Sequence, residues 1–201
     1  MSVHTIILAA GQGSRMKSNK AKVLQRIGGT SMLEKICHTA GAVSSDITLV
    51  VGFDKESVLE EAGNYNLNIT SSLQPKPIGT GDAVRCGLDK VQNDSKVLVL
   101  YGDVPLIKKE TLQNLIDSSN SGLSILTTVL DKPFGYGRVK TNSNNEALEI
   151  VEEKDATDEE RQIQEIFTGV LCGSKALIEE GLSKITNNNA AGEFYLTDLV
   201  S

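Results

Sequence analysis

The sequence predicts a three-layer α/β domain with a mostly parallel sheet, and three observations support this fold class. Apolar, β-branched runs of strand length alternate with segments of helical periodicity from Val3 to about Ser119. The first run stops at Gly11 and the fourth at Gly102-Asp103, as expected for strands that end in ligand-binding loops. A chain of 201 residues, 39% of them hydrophobic and 23% charged, suits one large globular domain.

The first half of the chain contains four predicted strands and four predicted helices. Strands are predicted over 3–10, 47–52, 67–73 and 96–101, because these runs are short, apolar and rich in β-branched residues. Helices are predicted over 32–43, 54–62, 79–91 and 109–119 from their apolar spacing. We expect Ser31 to cap the first of these helices and Asp54 the second.

The second half has a different pattern, which predicts a smaller β-rich part. Strands are predicted over 123–130, 138–141, 147–153 and 166–172, separated by turn residues such as Gly135 and Gly137. The acidic segment 155–160 is typical of a solvated excursion, and a last helix follows around Ile178 and Leu182. We therefore divide the chain into a core at 1–119 and a second part at 120–201.

Composition narrows the classes of function. A formal net charge of −6 and an aromatic content of 4% argue against nucleic-acid binding. Three scattered cysteines without a CxxC pair indicate reduced, buried thiols, and no apolar run approaches the ~18 residues of a membrane span. We expect a cytoplasmic protein without a membrane partner.

The segment LAAGQGSRM, which follows the first predicted strand, is the best candidate for a phosphate site. Gly11 and Gly13 allow backbone N–H groups to approach an anion closely. It is neither a P-loop nor a dinucleotide fingerprint, because the Gly-Lys-Ser/Thr ending is absent and Met16 replaces the third glycine. Arg15 offers a fork for phosphate oxygens and Lys22 a point charge. The alternative interpretation of these basic residues is a solvated face.

A single carboxylate follows the fourth predicted strand, in the segment YGDVPL. Asp103 provides the hard oxygen ligands that Mg²⁺ takes together with phosphates and water. Its alternative interpretation is a turn or helix cap. Together with Gly79-Thr80-Gly81, the two glycine-bearing strand ends would form one crevice at the carboxyl edge of the sheet.

On these motifs the chain resembles the uridylyltransferase domains of the bacterial bifunctional N-acetylglucosamine-1-phosphate uridylyltransferases. The resemblance also includes Lys22-Val23-Leu24, Gln74, and the segments GYGR, EEKDAT and GEFYLTD, and so covers essentially the whole chain. LAAGxGxRM is shared by many nucleotide-sugar pyrophosphorylases, whereas YGDVPL, GYGR and EKDAT are far more specific. The resemblance implies a Rossmann-like nucleotidyltransferase fold. It also implies Mg²⁺-dependent transfer of UMP from UTP to N-acetylglucosamine 1-phosphate, which gives UDP-N-acetylglucosamine and pyrophosphate for cell-wall precursor synthesis.

The resemblance also implies a role for each matching residue. The uracil and phosphates would be held by Leu8, Ala9, Ala10 and Gly11, and the base would be read by Gln74, Gly79 and Thr80. Arg15 and Lys22 would neutralise the triphosphate, Tyr101 and Gly102 would line the site, and Asp103 would ligate Mg²⁺. Gly137 and Glu152 would contact the sugar in the 120–201 part, where Tyr195 and Thr197 would close the pocket.

Two departures from the family pattern limit these expectations. Phe167 stands where the family has an asparagine that contacts the sugar, so a hydrogen bond worth ~1–3 kcal/mol would be missing there. Phe167 then marks an altered or weaker sugar pocket, or it is plain core. The family's domain also continues past Ser201 to a second Mg²⁺-ligating asparagine and an acetyltransferase β-helix that makes a homotrimer. We therefore expect a C-terminally truncated domain from a trimeric parent.

Three other functions remain open from the sequence. The chain could be a pyrophosphorylase for a different sugar-1-phosphate or nucleoside triphosphate. It could bind a nucleotide sugar without catalysis, because the second metal ligand is absent. A phosphate-binding regulatory domain is the third alternative.

Overall fold

An eight-stranded mixed sheet organises the computed structural model, which describes residues 2–13, 16 and 18–200. The strands are β1 Val3–Ala9, β2 Arg26–Ile27, β3 Thr30–Ser31, β4 Asp46–Val51, β5 Ile69–Leu73, β6 Lys96–Tyr101, β7 Ser124–Val129, β8 Arg138–Thr141, β9 Ala147–Val151 and β10 Glu165–Ser174. The α-helices are α1 Met32–Gly41, α2 Lys55–Ala62, α3 Thr80–Leu88, α4 Lys109–Ser118 and α5 Lys175–Lys184. Short β2 and β3 form a separate hairpin.

The first half of the chain forms the parallel part of the sheet, in the order β5-β4-β1-β6. The chain runs outward from β1 through α1 and α2 to β5, then returns through α3 to β6 on the other side of β1. The strand order therefore reverses beside β1, and in open α/β sheets such a reversal creates a ligand crevice at the carboxyl ends.

Helices cover both faces of this parallel part. Ile7 and Ala9 belong to one hydrophobic core with α1, α2 and α4, whereas Ile6 and Leu8 belong to a second core with α3 and α5. Alternate residues of β1 thus point to opposite layers and are buried in both. The predicted three-layer α/β architecture is confirmed.

The second half of the chain adds four antiparallel strands. The C-terminal half of β10 pairs with β6, its N-terminal half meets β8, and β7 pairs along its other edge. β8 pairs in turn with β9. The 120–201 part therefore extends the same sheet and brings the end of β9 toward the carboxyl edge.

The predicted helices are present, but α1 and α3 end two and three residues earlier than expected, at Gly41 and Leu88. The Ser31 side chain caps α1 by accepting from the Glu34 N–H, as predicted. The prediction that Asp54 caps α2 is wrong: Asp54 adopts a left-handed conformation, with φ of 53°, and makes no side-chain cap bond. Its carboxylate accepts instead from the Ala21 N–H, at 3.1 Å, and from the Ser57 hydroxyl, at 2.6 Å.

None of the helices in the described part of the chain combines the length and apolar character that a membrane crossing needs.

A buried histidine lies at the amino-terminal end of the sheet. His4 is 7% exposed, and a hydrogen bond of 2.7 Å joins its Nε2 to the Thr48 hydroxyl, which lies 3.1 Å from that of Thr70. Burial lowers the pKa of His4, and the nearby Asp46 carboxylate opposes this shift only in part. The folded protein therefore favours the neutral imidazole.

We expect the stability of the protein to fall as the pH drops below about 6.5, the pKa of an unfolded histidine, because the unfolded chain takes up this proton first. The variant His4→Gln should lose this component of the pH dependence. Urea unfolding between pH 5 and 8 measures it. His38→Gln, at the exposed second histidine, is the matched control and should retain the wild-type profile.

Candidate active site

A cavity of about 490 Å³ opens where β1 and β6 end. Its lining includes ten of the residues that the sequence singled out: Leu8, Ala9, Ala10, Gly11, Lys22, Gln74, Gly79, Thr80, Tyr101 and Asp103. They come from five separate stretches of the chain, which the fold brings to the edge of the sheet where the strand order reverses. The predicted single crevice is therefore present in the fold.

An ion pair crosses this cavity. The Lys22 Nζ donates to the Asp103 Oδ2, and the two side chains keep 39% and 27% of their surface exposed. Gly13, at φ of 65°, leaves room for the lysine stem, since a Cβ there would lie 2.6 Å from the Lys22 Cβ. The segment that follows Gly13 and the segment that follows β6 thus present one positive and one negative charge side by side.

Gly102 lies behind the cavity lining, where three segments pack closely. It is buried, its N–H donates to the Leu8 carbonyl at 2.9 Å, and a Cβ would lie 2.6 Å from the Val23 Cγ1. Close approach of the three segments therefore requires glycine at this position. Gly102 does not appear in the cavity lining, in contrast to its expected role there.

Tyr101 forms an apolar wall beside the charges. Burial raises the pKa of its phenol well above the usual range, although the interaction with the Thr80 side chain lowers it slightly. The phenol is therefore neutral at physiological pH. Gly169, at φ of 87°, packs against the ring, because a Cβ there would lie 2.3 Å from the Tyr101 Cε2.

The amino-terminal end of α3 lies against residues 193–196. The Gly81 N–H donates to the Phe194 carbonyl at 2.8 Å, and the Phe194 N–H donates to the Ile78 carbonyl at 2.8 Å. Gly79 has φ of 127°, and a Cβ there would lie 2.3 Å from the Phe194 carbonyl oxygen. Both the backbone conformation and the packing require glycine at this edge of the cavity.

A second, smaller cavity of about 210 Å³ lies at the end of β9 and includes Glu152 and Tyr195 in its lining. The Thr197 hydroxyl donates to the Glu152 Oε1 at 3.1 Å. Gly137 lies beside this pair, since a Cβ there would be 3.8 Å from the Glu152 carboxyl carbon. The four residues expected to contact the sugar therefore form one group.

Glu152 is the carboxylate of this group, and its surroundings shift its pKa. Burial raises its pKa, and the hydrogen bond from Thr197 offsets only part of the shift. The nearby acids Asp198, Asp155 and Glu193 act in the same direction as burial. Glu152 is thus a desolvated carboxylate with a fixed orientation, as expected for a group that accepts hydrogen bonds from a ligand.

The C-terminal segment connects the two cavities. Glu193 borders the first and Tyr195 borders the second, and the Leu196 N–H donates to the Thr80 hydroxyl at 3.0 Å. A ligand with a nucleotide end and a sugar end could therefore extend from α3 to Glu152 along one continuous wall.

The two remaining sequence expectations have different outcomes. Arg15 lies outside the described residues. Phe167 is 6% exposed in the second hydrophobic core, and its N–H donates to the Gly137 carbonyl at 3.0 Å. The interpretation of Phe167 as core is confirmed, while its backbone still positions the loop beside Glu152.

Sequence reasoning missed two positioning contacts. Asp82 accepts a hydrogen bond from the Gln74 amide, at 3.0 Å. Fully buried Arg138 donates to the Glu153 carboxylate at 2.7 Å and to the Tyr136 carbonyl, which fixes the loop before Gly137. In the sequence, the signals for this pairing are an arginine that begins β8 and two acids that follow β9. These signals are too weak to predict the pairing.

A larger groove, of about 930 Å³, lies along β7 between α4 and the β8–β9 hairpin. Its lining includes none of the residues predicted for the site. The charged pair and the close glycine contacts therefore lie at the smaller cavity and not in this larger groove.

The model of the MobA-like NTP transferase domain family matches residues 5–139. The chain belongs to this family. It is therefore a nucleotidyltransferase domain, and the matched segment includes both loops that carry the Lys22–Asp103 pair.

Curated relatives support the resemblance found in the sequence. The bifunctional protein GlmU of Methylococcus capsulatus is 46% identical over 100% of this chain, and that of Francisella philomiragia is 45% identical over 100%. GlmU of Psychrobacter cryohalolentis is 43% identical over 99% of the chain. The chain spans 44% of the length of each of these relatives.

Solved structures support the fold. A UDP-glucose pyrophosphorylase complexed with UDP-glucose matches 99% of this chain and 85% of its own, with a TM-score of 0.80 at 17% identity. A putative glucose-1-phosphate thymidylyltransferase from Bacillus anthracis, in complex with a sucrose, matches 98% and 81%, with a TM-score of 0.75 at 22% identity. The Rossmann-like nucleotidyltransferase fold is therefore confirmed.

In this NTP transferase domain we expect Gly79→Ala to destabilise the fold by about 1–3 kcal/mol, because alanine is strained at positive φ and its Cβ would meet the Phe194 backbone. Affinity for nucleoside triphosphate should fall as α3 moves away from residues 193–196. Urea unfolding and titration calorimetry measure the two effects. Gly122→Ala is the control: open space surrounds Gly122, so stability should change by less than about 0.5 kcal/mol.

Glu152→Gln should raise the melting temperature at pH 7.5 by about 2 °C, because it removes a desolvated charge while it keeps an acceptor for Thr197. The folded pKa of Glu152 lies above its unfolded value, so ionisation destabilises the native state as the pH rises. The gain should therefore be small near pH 4.5 and grow toward pH 7.5 in thermal scans. A gain independent of pH would contradict this account, and Glu179→Gln on exposed α5 should show none.

Proposed function

We propose that this domain transfers UMP from UTP to N-acetylglucosamine 1-phosphate, which forms UDP-N-acetylglucosamine and pyrophosphate. The observation that carries the proposal is the Lys22–Asp103 pair in a cavity at the strand-order reversal, adjacent to the Glu152 group. Membership of the NTP transferase family and whole-chain similarity to GlmU proteins support it. The product would serve cell-wall precursor synthesis.

The reaction requires positioning and charge neutralisation rather than a general base. A phosphate oxygen of the sugar phosphate attacks the α-phosphorus of UTP in line, the bond to the β,γ-diphosphate breaks, and pyrophosphate leaves. Since the nucleophile is already anionic, its main obstacle is repulsion by the triphosphate. Lys22 would neutralise phosphate charge beside Gly13, and Arg15 would add a second cation.

The site fits a magnesium ion held with the substrate's help. Asp103 supplies one carboxylate at the cavity, and Mg²⁺ is typically bound by one or two carboxylates together with phosphates and water. Among the described residues there is no cluster of three or more His, Cys, Asp or Glu side chains that could hold a metal by itself. When bound, the ion would screen the phosphate charges, and we propose Asp103 as its protein ligand.

The two parts of the chain would divide the substrate between them. Residues 1–119 would hold the nucleotide through Leu8, Ala9, Ala10, Gly11, Gln74, Gly79, Thr80 and Tyr101, with Gly102 buried behind them. Residues 120–201 would hold the sugar phosphate through Gly137, Glu152, Tyr195 and Thr197. The parent protein would be a trimer through its C-terminal acetyltransferase domain.

Asp103→Ala should lower kcat/KM for UTP and N-acetylglucosamine 1-phosphate by about 10³-fold, because a charge-stabilising ligand of the transition state is lost. EDTA should abolish turnover and added Mg²⁺ should restore it. Pyrophosphate release measures both. The control is Asp94→Ala, an exposed aspartate at the opposite end of β6, which should keep wild-type turnover.

The same assay separates the competing functions. A panel of nucleoside triphosphates and sugar 1-phosphates would identify a pyrophosphorylase with another substrate, and absence of turnover with UTP would reject uridylyl transfer. Binding of UDP-N-acetylglucosamine without turnover in any combination would instead show a non-catalytic nucleotide-sugar module.

A further inference from the structure

The amide of Gln74 is held in one orientation at the edge of the nucleotide cavity. Gln74 is 7% exposed, and its Nε2 donates to the Asp82 Oδ2 and to the Gly79 carbonyl, both at 3.0 Å. A carbonyl and an ionised carboxylate can only accept, so they fix which end of the amide is nitrogen. Both amide hydrogens are thereby used, and the carbonyl oxygen remains for a ligand.

The second carboxylate oxygen of Asp82 lies near Arg85. Its Oδ1 lies 3.9 Å from the Arg85 Nη1, and the Arg85 Nη2 donates to the Leu182 carbonyl at 2.8 Å. The same guanidinium lies 5.4 Å from the centre of the Phe194 ring. Asp82 also lies in the first turn of α3, where a carboxylate is stabilised by the helix dipole. Asp82 therefore connects Gln74 to Arg85, which in turn contacts α5.

We propose that Asp82 is a positioning residue that sets the base specificity of the nucleotide site. It holds Gln74 with its carbonyl oxygen available to the cavity, where this oxygen selects a pyrimidine with an N–H donor at ring position N3. Uracil and thymine carry a hydrogen on N3, whereas cytosine has a lone pair there. The inference rests on the proposed function, since it takes the cavity as a uridine nucleotide site.

The orientation matters because a glutamine amide is symmetric in shape but not in hydrogen bonding. Turned by half a rotation, it would offer N–H groups to the cavity and would suit the N3 acceptor of cytosine equally well. Asp82 penalises this turn, because the Gln74 oxygen would then face a carboxylate and a carbonyl. Loss of Asp82 removes the larger part of the penalty, and only the Gly79 carbonyl remains.

The experiment measures the affinities of the wild-type chain and of Asp82→Ala for UTP and for CTP, by titration calorimetry with magnesium present. We expect wild-type protein to prefer UTP by at least about tenfold, because a mismatched buried hydrogen bond typically carries such a penalty. In Asp82→Ala the ratio of the two affinities should fall several-fold toward one, chiefly through tighter CTP binding. A purely structural role would weaken both nucleotides alike and leave the ratio unchanged.

Two more variants complete the design. Asp82→Leu, which also lacks an acceptor, replaces Asp82→Ala if that variant unfolds, and it should lower the ratio in the same way. Asp89→Ala removes an exposed aspartate at the other end of α3 and should keep the wild-type ratio. Thermal scans of each variant confirm that the fold is retained.

The outcomes separate the inference from the function on which it rests. If wild-type protein binds UTP and CTP equally, the proposed uridine specificity fails, and the role of Asp82 fails with it. If wild-type protein prefers UTP and the Asp82 variants keep the same ratio, the proposed function stands and only the inference is overturned. A ratio that falls in the Asp82 variants and not in Asp89→Ala supports both.

Discussion

The burial of β1 on both faces and both edges is the constraint on which the rest of the structure depends. Parallel ladders to β4 and β6 satisfy its backbone, and alternate side chains enter separate hydrophobic cores. At the carboxyl end of this enclosed strand, the Leu8 carbonyl accepts from the Gly102 N–H. That bond ties the end of β1 to the segment that carries Asp103, and the close contacts of Gly102 with Val23 and of Gly13 with Lys22 bring Lys22 to the same place.

A second set of backbone contacts joins the cavity at the ends of β1 and β6 to the Glu152 group. Phe194 forms hydrogen bonds with both Ile78 and Gly81, and this leaves no space for a side chain at Gly79. Three residues later, the Thr197 hydroxyl orients Glu152. The C-terminal segment thus fixes the distance between α3 and the end of β9. Hydrogen bonds of the main chain suit this task, because they hold geometry without adding bulk to either cavity.

The sequence predicts the fold well because its strongest signals are local. The KVLVLY run gives β6 its observed bounds, and Ser31 caps α1 as its position indicates. Asp54 shows where local signals fail. Its carboxylate accepts from the distant Ala21 N–H and does not cap α2. The family motifs locate the residues of the cavity, but the orientation of Gln74 depends on Asp82, and the core position of Phe167 depends on tertiary packing. No spacing pattern encodes those contacts, since each partner comes from another element or turn.

The two charged pairs of the site, Lys22–Asp103 and Arg138–Glu153, differ in how easily a ligand could separate their members. Lys22 and Asp103 are partly exposed, and such a pair contributes only about 0–1 kcal/mol to stability. Arg138 and Glu153 are 2% and 19% exposed, so separation would leave a buried guanidinium without its partner. Under the proposed function, the first pair would exchange its mutual contact for contacts with phosphate and cation, while the second would keep the loop before Gly137 in place. A site that binds a charged substrate needs both kinds: an exchangeable pair where the substrate charge arrives, and a fixed pair where the wall must not move.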